Sequence, residues 1–269
     1  MERKPWAIMV PCGWNSATSH GSAVVERYAA IADAWATRTS SSTTRTYTDG
    51  YVLRGMAFVV GGVYEETWAA RYTNERWNDT ANSVTARKTL ATASGYGGSC
   101  SIRDHGYICN GLNWQTKMIR FCDIANAWTT RTSYGNRFYN CAGSARGFLF
   151  NEGGSASGHG RFDDIANTWT ERTVVNSGQT PGIGANGFFM IGNKGRFCDI
   201  ANAWTSRNWT NTRRGAVGYL DGRYYCAGYA GDLHDLQTNR YCDIADTTTL
   251  LNQSMSVQRK HFTGSDMAI

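Results

Sequence analysis

Short apolar runs recur along this chain, and each closes on glycine. They are Ala7-Ile-Met-Val10 ahead of Gly13, Ala57-Phe-Val-Val60 ahead of Gly61 and Gly62, Tyr107-Ile-Cys109 ahead of Gly111, Phe148-Leu-Phe150 ahead of Gly153 and Gly154, Phe188-Phe-Met-Ile191 ahead of Gly192, and Tyr224-Tyr-Cys226 ahead of Gly228. Aromatic and β-branched residues bounded by Gly, Asn and Ser predict strands. No segment keeps a helical period over three turns. After each run comes a second pattern, clearest as Arg120-Phe-Cys-Asp-Ile-Ala-Asn-Ala-Trp128, with copies at 27–35, 76–84, 161–169, 196–204 and 240–248. The leading arginines lie 49, 44, 41, 35 and 44 residues apart. A period of this size marks stacked supersecondary units.

Each unit reads as a β-meander. Asp123-Ile-Ala-Asn126 predicts a tight turn between a third and a fourth strand, because Asp and Asn bond the local backbone and tolerate left-handed geometry. Trp128, Trp169 and Trp204 are then expected to be largely buried between neighbouring units. Val84 and Thr248 hold that position in the second and sixth units, which should be weaker for it. The repeat arginines, and a second set 11 residues later (Arg38, Arg87, Arg131, Arg172, Arg207), suggest a structural pairing with the repeat aspartate.

A glycine-ended strand, an aromatic-x-Asp step and Asn-x-Trp together resemble the kelch repeat of β-propellers, over nearly the whole chain. The double glycine persists only at Gly61-Gly62 and Gly153-Gly154. The Asp-to-Trp spacing is one residue shorter than in the usual kelch turn, which is similar to the Asp-box turn of sialidase-type propellers without its serine and glycine. Either resemblance implies an all-β fold: a single six-bladed β-propeller of four-stranded antiparallel blades over residues 1–269. Residues 259–269 look like a first strand, whereas the N-terminus opens on a second one. The C-terminal strand is therefore expected to complete blade one and close the ring, which leaves only short protected edges.

Composition fits that picture, with 30 Gly and 13% aromatics but three Pro. The net charge of +6 is mild and no Lys/Arg block occurs. A nucleic-acid partner is not expected, since a basic footprint should cluster on one face. The eight cysteines include no Cys-x-x-Cys, which argues against a structural zinc site. They read as free buried thiols or as disulfides, with Cys109–Cys122 and Cys226–Cys242 on adjacent strands. The apolar stretch before Pro11 is too short for a signal-peptide core, and no run approaches the ~20 apolar residues of a membrane span. The expectation is a soluble protein made in a cytoplasm, without membrane insertion, and compatible with assembly into a virus particle.

Function is expected on the loops between second and third strands, which share a face with the connections between blades. Trp14, His20, Tyr64, Trp68, Trp114, His159, Trp209, Tyr229, Asp232 and His234 are the candidate binding residues, forming a broad collar. Flat rings with polar handles suit a glycan or a protein neighbour. No Gly-x-Ser-x-Gly, phosphate loop or His-Glu-x-x-His occurs, and no cofactor or metal is expected. The reading is a non-enzymatic binding or structural ring, a virion or tail-fibre component contacting a host glycan or a neighbouring structural protein. Alternatives are a glycan-processing or oxidising enzyme and a cytosolic kelch-type adaptor. The first draws on the fold shared with sialidases and with the kelch family's copper oxidase, and on the pairs Glu65 with Glu66 and Asp232 with Asp235.

Overall fold

Tight turns force consecutive strands to pair as antiparallel neighbours, and this chain does so six times. The computed structural model describes residues 7–15, 20–64, 66–109, 111, 116–135, 141–153, 158–175, 182–185, 187–191, 195–209, 216–227, 238–251, 255 and 259–260. Blade two is Asp49–Leu53, Met56–Val60, Asn74–Asn78 and Ser83–Ala86. Blade three is Gly98–Ile102, His105–Cys109, Met118–Cys122 and Ala127–Arg131, and blade four is Cys141–Ala145, Phe148–Glu152, His159–Asp163 and Thr168–Arg172. Blade five is Gly182–Ala185, Phe188–Ile191, Gly195–Cys198 and Ala203–Thr205, and blade six is Ala216–Leu220, Arg223–Ala227, Thr238–Cys242 and Thr247–Leu250. Blade one takes Ala7–Asn15, His20–Ala29 and Ala34–Arg38 from the N-terminus and Arg259–Lys260 from the C-terminus. The six sheets make a six-bladed β-propeller. Backbone pairing of Trp14 with Lys260 and Asn15 with Arg259 joins the two ends of the chain; residues 261–269 lie outside the described residues.

The repeat turns behave as their residue types dictate. Asn82, Asn126, Asn167 and Asn202 close them at φ between 46° and 55°, as do Asp33 and Asp246. The aspartate that opens each turn then reaches outward. It accepts two guanidinium groups from the preceding blade: Arg27 and Arg38 on Asp79, Arg76 and Arg87 on Asp123, Arg120 and Arg131 on Asp164, Arg161 and Arg172 on Asp199, and Arg196 and Arg207 on Asp243. The asparagine side chain caps the same neighbour, accepting from the backbone N–H of Thr39, Lys88, Thr132 or Thr173. Five junctions carry this double-arginine clamp. At the sixth, between blades six and one, Ala30 stands in place of the aspartate and Leu251 in place of the second arginine. There Leu251, Met255, Tyr225 and Tyr28 share an apolar cluster instead.

The repeat tryptophans differ from expectation in depth. Trp128, Trp169 and Trp204 are half-buried. Each ring packs across its own hairpin on Phe121, Phe162 or Phe197, at 4.8, 5.1 and 5.2 Å between centroids. The indole N–H crosses the gap and donates to Lys88, Thr132 or Thr173 carbonyl oxygen of the preceding blade, at 2.8, 2.7 and 2.7 Å. A ring that bridges two blades at their rim keeps one edge in solvent. Blades two and six retain this tie by other means: Trp77 donates to Thr39 O at 3.0 Å, and the Thr248 hydroxyl donates to Asn208 O at 2.8 Å.

None of the eight cysteines is in a disulfide. Cys109 faces Met118 and Cys122 faces His105, at opposite ends of one strand pair. Cys226 faces Asn239, three residues short of Cys242. Neither candidate disulfide has the necessary approach. Burial pushes the Cys109 thiol up to about 12, as suits a small core residue. No helix among the described residues is long and apolar enough to cross a membrane.

A candidate binding face around blade two

Gly61 and Gly62 end the second strand of blade two at φ 61° and 99°. A side chain on Gly61 would collide with the Ser94 carbonyl, and one on Gly62 would come within 2.9 Å of Thr46 O. Glycine alone fits there, and it lets the chain leave the blade as a small ribbon, Val63–Tyr64 against Ala69–Ala70. The ribbon is laced to both neighbouring connections. Val63 and Thr46 exchange backbone bonds of 2.8 and 3.0 Å, Gly62 N donates to Ser94 O at 2.7 Å, and Ser94 N donates to Arg71 O at 2.9 Å.

Aromatic rings cover this lacing. Tyr47 and Tyr96 each stand two residues before the first strand of their blade. Both are buried and stack at 3.6 Å. Trp68 sits at the ribbon turn with its ring 6.1 Å from Tyr47, and it is 53% exposed; Tyr72 is 52% exposed. The Arg71 guanidinium lies 4.6 Å over the Tyr64 ring, whose hydroxyl donates to Glu66 at 2.8 Å. That bond to Glu66 raises the Tyr64 pKa and keeps the hydroxyl a donor. Tyr47, Trp68 and Tyr96 hold φ of 51°, 53° and 62°. Bulky residues in the left-handed region cost about 1–3 kcal/mol each and persist where the surroundings impose them.

The floor below is polar and built. Buried Arg45 pairs with Glu75 and donates to Gly61 O and Thr73 Oγ1, and Glu75 also accepts from Ser41 Oγ and Ser42 N. Ser94 Oγ donates to buried Asp49 at 3.0 Å. Lys117 Nζ donates to Ala93 O at 3.0 Å, and burial draws its pKa down to about 8.

Of the residues singled out from sequence, the fold brings Tyr64 and Trp68 together on the ribbon. Trp14 and His20 flank the 2–3 loop of blade one, paired through the backbone with Gly21 and Asn15; their side chains lie outside the described residues. Trp114, Tyr229, Asp232 and His234 also lie outside them. Two residues are interior, not on a collar. His159 opens a strand and is fully buried, donating from Nδ1 to Thr173 O at 3.0 Å beside Glu152. Trp209 is buried and stacks on Tyr241 at 5.7 Å. The strand begins sooner than the loop reading assumed, and the connection after blade five folds inward. Sequence reasoning missed Tyr47, Tyr96, Arg71 and Tyr72. The shared offset of Tyr47 and Tyr96 from their strands was the available signal.

A β-propeller fold supports a binding or structural role in general. The sequence matches no protein-family model and no curated protein, so the functional reading rests on the geometry of this face.

Proposed function

We propose that the protein is a non-enzymatic binding propeller of a virus particle or tail fibre, holding a host glycan on the face that bears the ribbon of blade two. One observation carries the reading: Trp68 presents a half-exposed ring from a left-handed backbone, on a ribbon buttressed by the Tyr47–Tyr96 stack. A fixed flat ring beside Arg71, Glu66 and the Tyr64 hydroxyl offers a sugar an apolar face and directed hydrogen bonds. The Thr-, Asn-, Ser- and Gly-rich loops support the placement in a particle.

The test is a glycan array followed by calorimetry on the purified protein. Trp68→Ala is expected to weaken binding of the selected glycan at least tenfold, about 1.4 kcal/mol, with the unfolding temperature unchanged. Trp14→Ala with Trp114→Ala is expected to add to the loss. Turnover of the glycan, read by mass spectrometry, would remove the non-enzymatic reading. Full binding by the Trp68 variant would remove this face.

A further inference from the structure

Two cations on the ribbon face hold no carboxylate. Arg71 follows the ribbon strand Ala69–Ala70, and Lys117 stands one residue before the third strand of blade three. Both belong to connections between second and third strands, so both come to the face that bears Trp68. One segment of chain joins them. Ser94 N donates to Arg71 O at 2.9 Å, and Lys117 Nζ donates to Ala93 O and Thr92 O at 3.0 and 3.4 Å. Leu90 N donates to the carbonyl of half-exposed Tyr72 at 2.8 Å and ties down the start of the same segment.

The charge of each is left over from the fold's own pairing. The ten clamp arginines and buried Arg45 all sit in ion pairs. Buried Nε atoms without a hydrogen bond occur on Arg38, Arg45, Arg87, Arg120 and Arg161, and each of those side chains holds a carboxylate through another nitrogen. Arg71 has the same sealed Nε but no carboxylate among the described residues, and its guanidinium lies against the Tyr64 ring instead. Lys117 meets carbonyl oxygens. Burial draws its pKa down to about 8, and the attraction of Asp49 offsets only part of that, as befits an ammonium without a close counter-charge. Glu66, the described carboxylate of the ribbon, takes the Tyr64 hydroxyl and pairs with neither cation.

Resting on the glycan reading above, we propose that the sugar selected by this face is acidic, its carboxylate held at Arg71 with Lys117 adding to the positive field across residues 92–94. A planar guanidinium fork matches a carboxylate in two parallel bonds. A neutral sugar leaves both charges unanswered. A sugar carboxylate gives Arg71 the partner that each clamp arginine already has within the ring.

An array of neutral, uronate-bearing and sulfated oligosaccharides tests it. Calorimetry follows on the tightest-binding uronate and on the same oligosaccharide with its carboxylate reduced to the alcohol. The uronate is expected to bind about tenfold or more tightly than its reduced form, the scale of a charged hydrogen bond. Higher ionic strength should narrow that ratio. Arg71→Gln and Lys117→Gln should each shrink it severalfold, and Arg71→Lys should restore part of it. Trp68→Ala should weaken both forms alike. The glutamine variants are expected to keep the parent unfolding temperature; if Arg71→Gln lowers it, the ratio measured with Lys117→Gln decides. Equal binding of neutral and uronate sugars, preference for the sulfated ones, or a ratio unmoved by the glutamine variants would overturn the acidic-sugar assignment and leave the glycan reading standing. Binding to none of the array would remove both.

Discussion

At the residue scale, the aspartate that opens each turn does the most work per side chain. Burial pushes the Asp164 and Asp199 carboxyls up. Tyr107, Arg131 and Arg120 around the first, and Arg172 and Arg161 around the second, outweigh it, so both pKa values end below the ordinary one. A carboxyl depressed in the fold stabilises it above the unfolded value of about 3.9, and that contribution is lost as pH falls through the folded value. Asp164→Asn is therefore expected to destabilise the ring at pH 7, by about 1–3 kcal/mol for a charged hydrogen-bonding group. The difference from the parent should shrink below about pH 4, as read by urea unfolding at a series of pH values. Trp169 isolates a second contribution. Trp169→Phe keeps the stack on Phe162 and removes the bond to Thr132 O, and should cost about 1 kcal/mol. Trp169→Ala removes both and should cost about 3 kcal/mol or more.

At the scale of blades, five junctions share one clamp and the sixth does not. Arg240 has no carboxylate partner among the described residues, because Ala30 stands where the aspartate would be. Closure there depends on the apolar cluster of Tyr28, Tyr225, Leu251 and Met255, with Trp35 donating to Thr238 Oγ1 at 3.2 Å. The junction between blades six and one is expected to open first. Native-state hydrogen exchange should show the lowest opening free energy for amides of Ala34–Arg38 and Thr247–Leu250, with the clamped blades three and four the most protected. Equal protection around the ring would contradict this. The sequence-based expectation put the weakness in blades two and six; Trp77 and Thr248 take over the lost indole bond there, so the junction between blades six and one is expected to be the weaker place.

At the scale of the molecule, ring closure rests on backbone pairing between distant ends of the chain. Deleting residues 259–269 would leave the Ala7–Asn15 strand as an unpaired edge, a template for association. The truncated chain is expected to unfold at lower temperature and to aggregate, measured by calorimetry and light scattering. The two faces also divide the chemistry. The connection face carries aromatic rings on a strained ribbon, and the 3–4 turns carry the exposed isoleucines Ile31, Ile124, Ile165, Ile200 and Ile244.

Much of this was legible in the chain itself. Strand runs, turn residues and a period near 40–50 residues are local patterns, and local patterns fix the meander, the number of blades and the αL asparagines. Tyr64 and Trp68 were legible as residues of the loop between the second and third strands; the ribbon they stand on was not. What needed tertiary structure was every relation across the repeat. Tyr47 reaches Tyr96 across 49 residues, and Arg120 and Arg131 meet Asp164 only because blade three lies beside blade four. His159 and Trp209 look like loop residues until the strand and the connection that bury them are in place. A repeat spreads equivalent residues evenly along the sequence, and ring closure gathers them onto one face, so the clustering of the exposed isoleucines exists only in the folded ring.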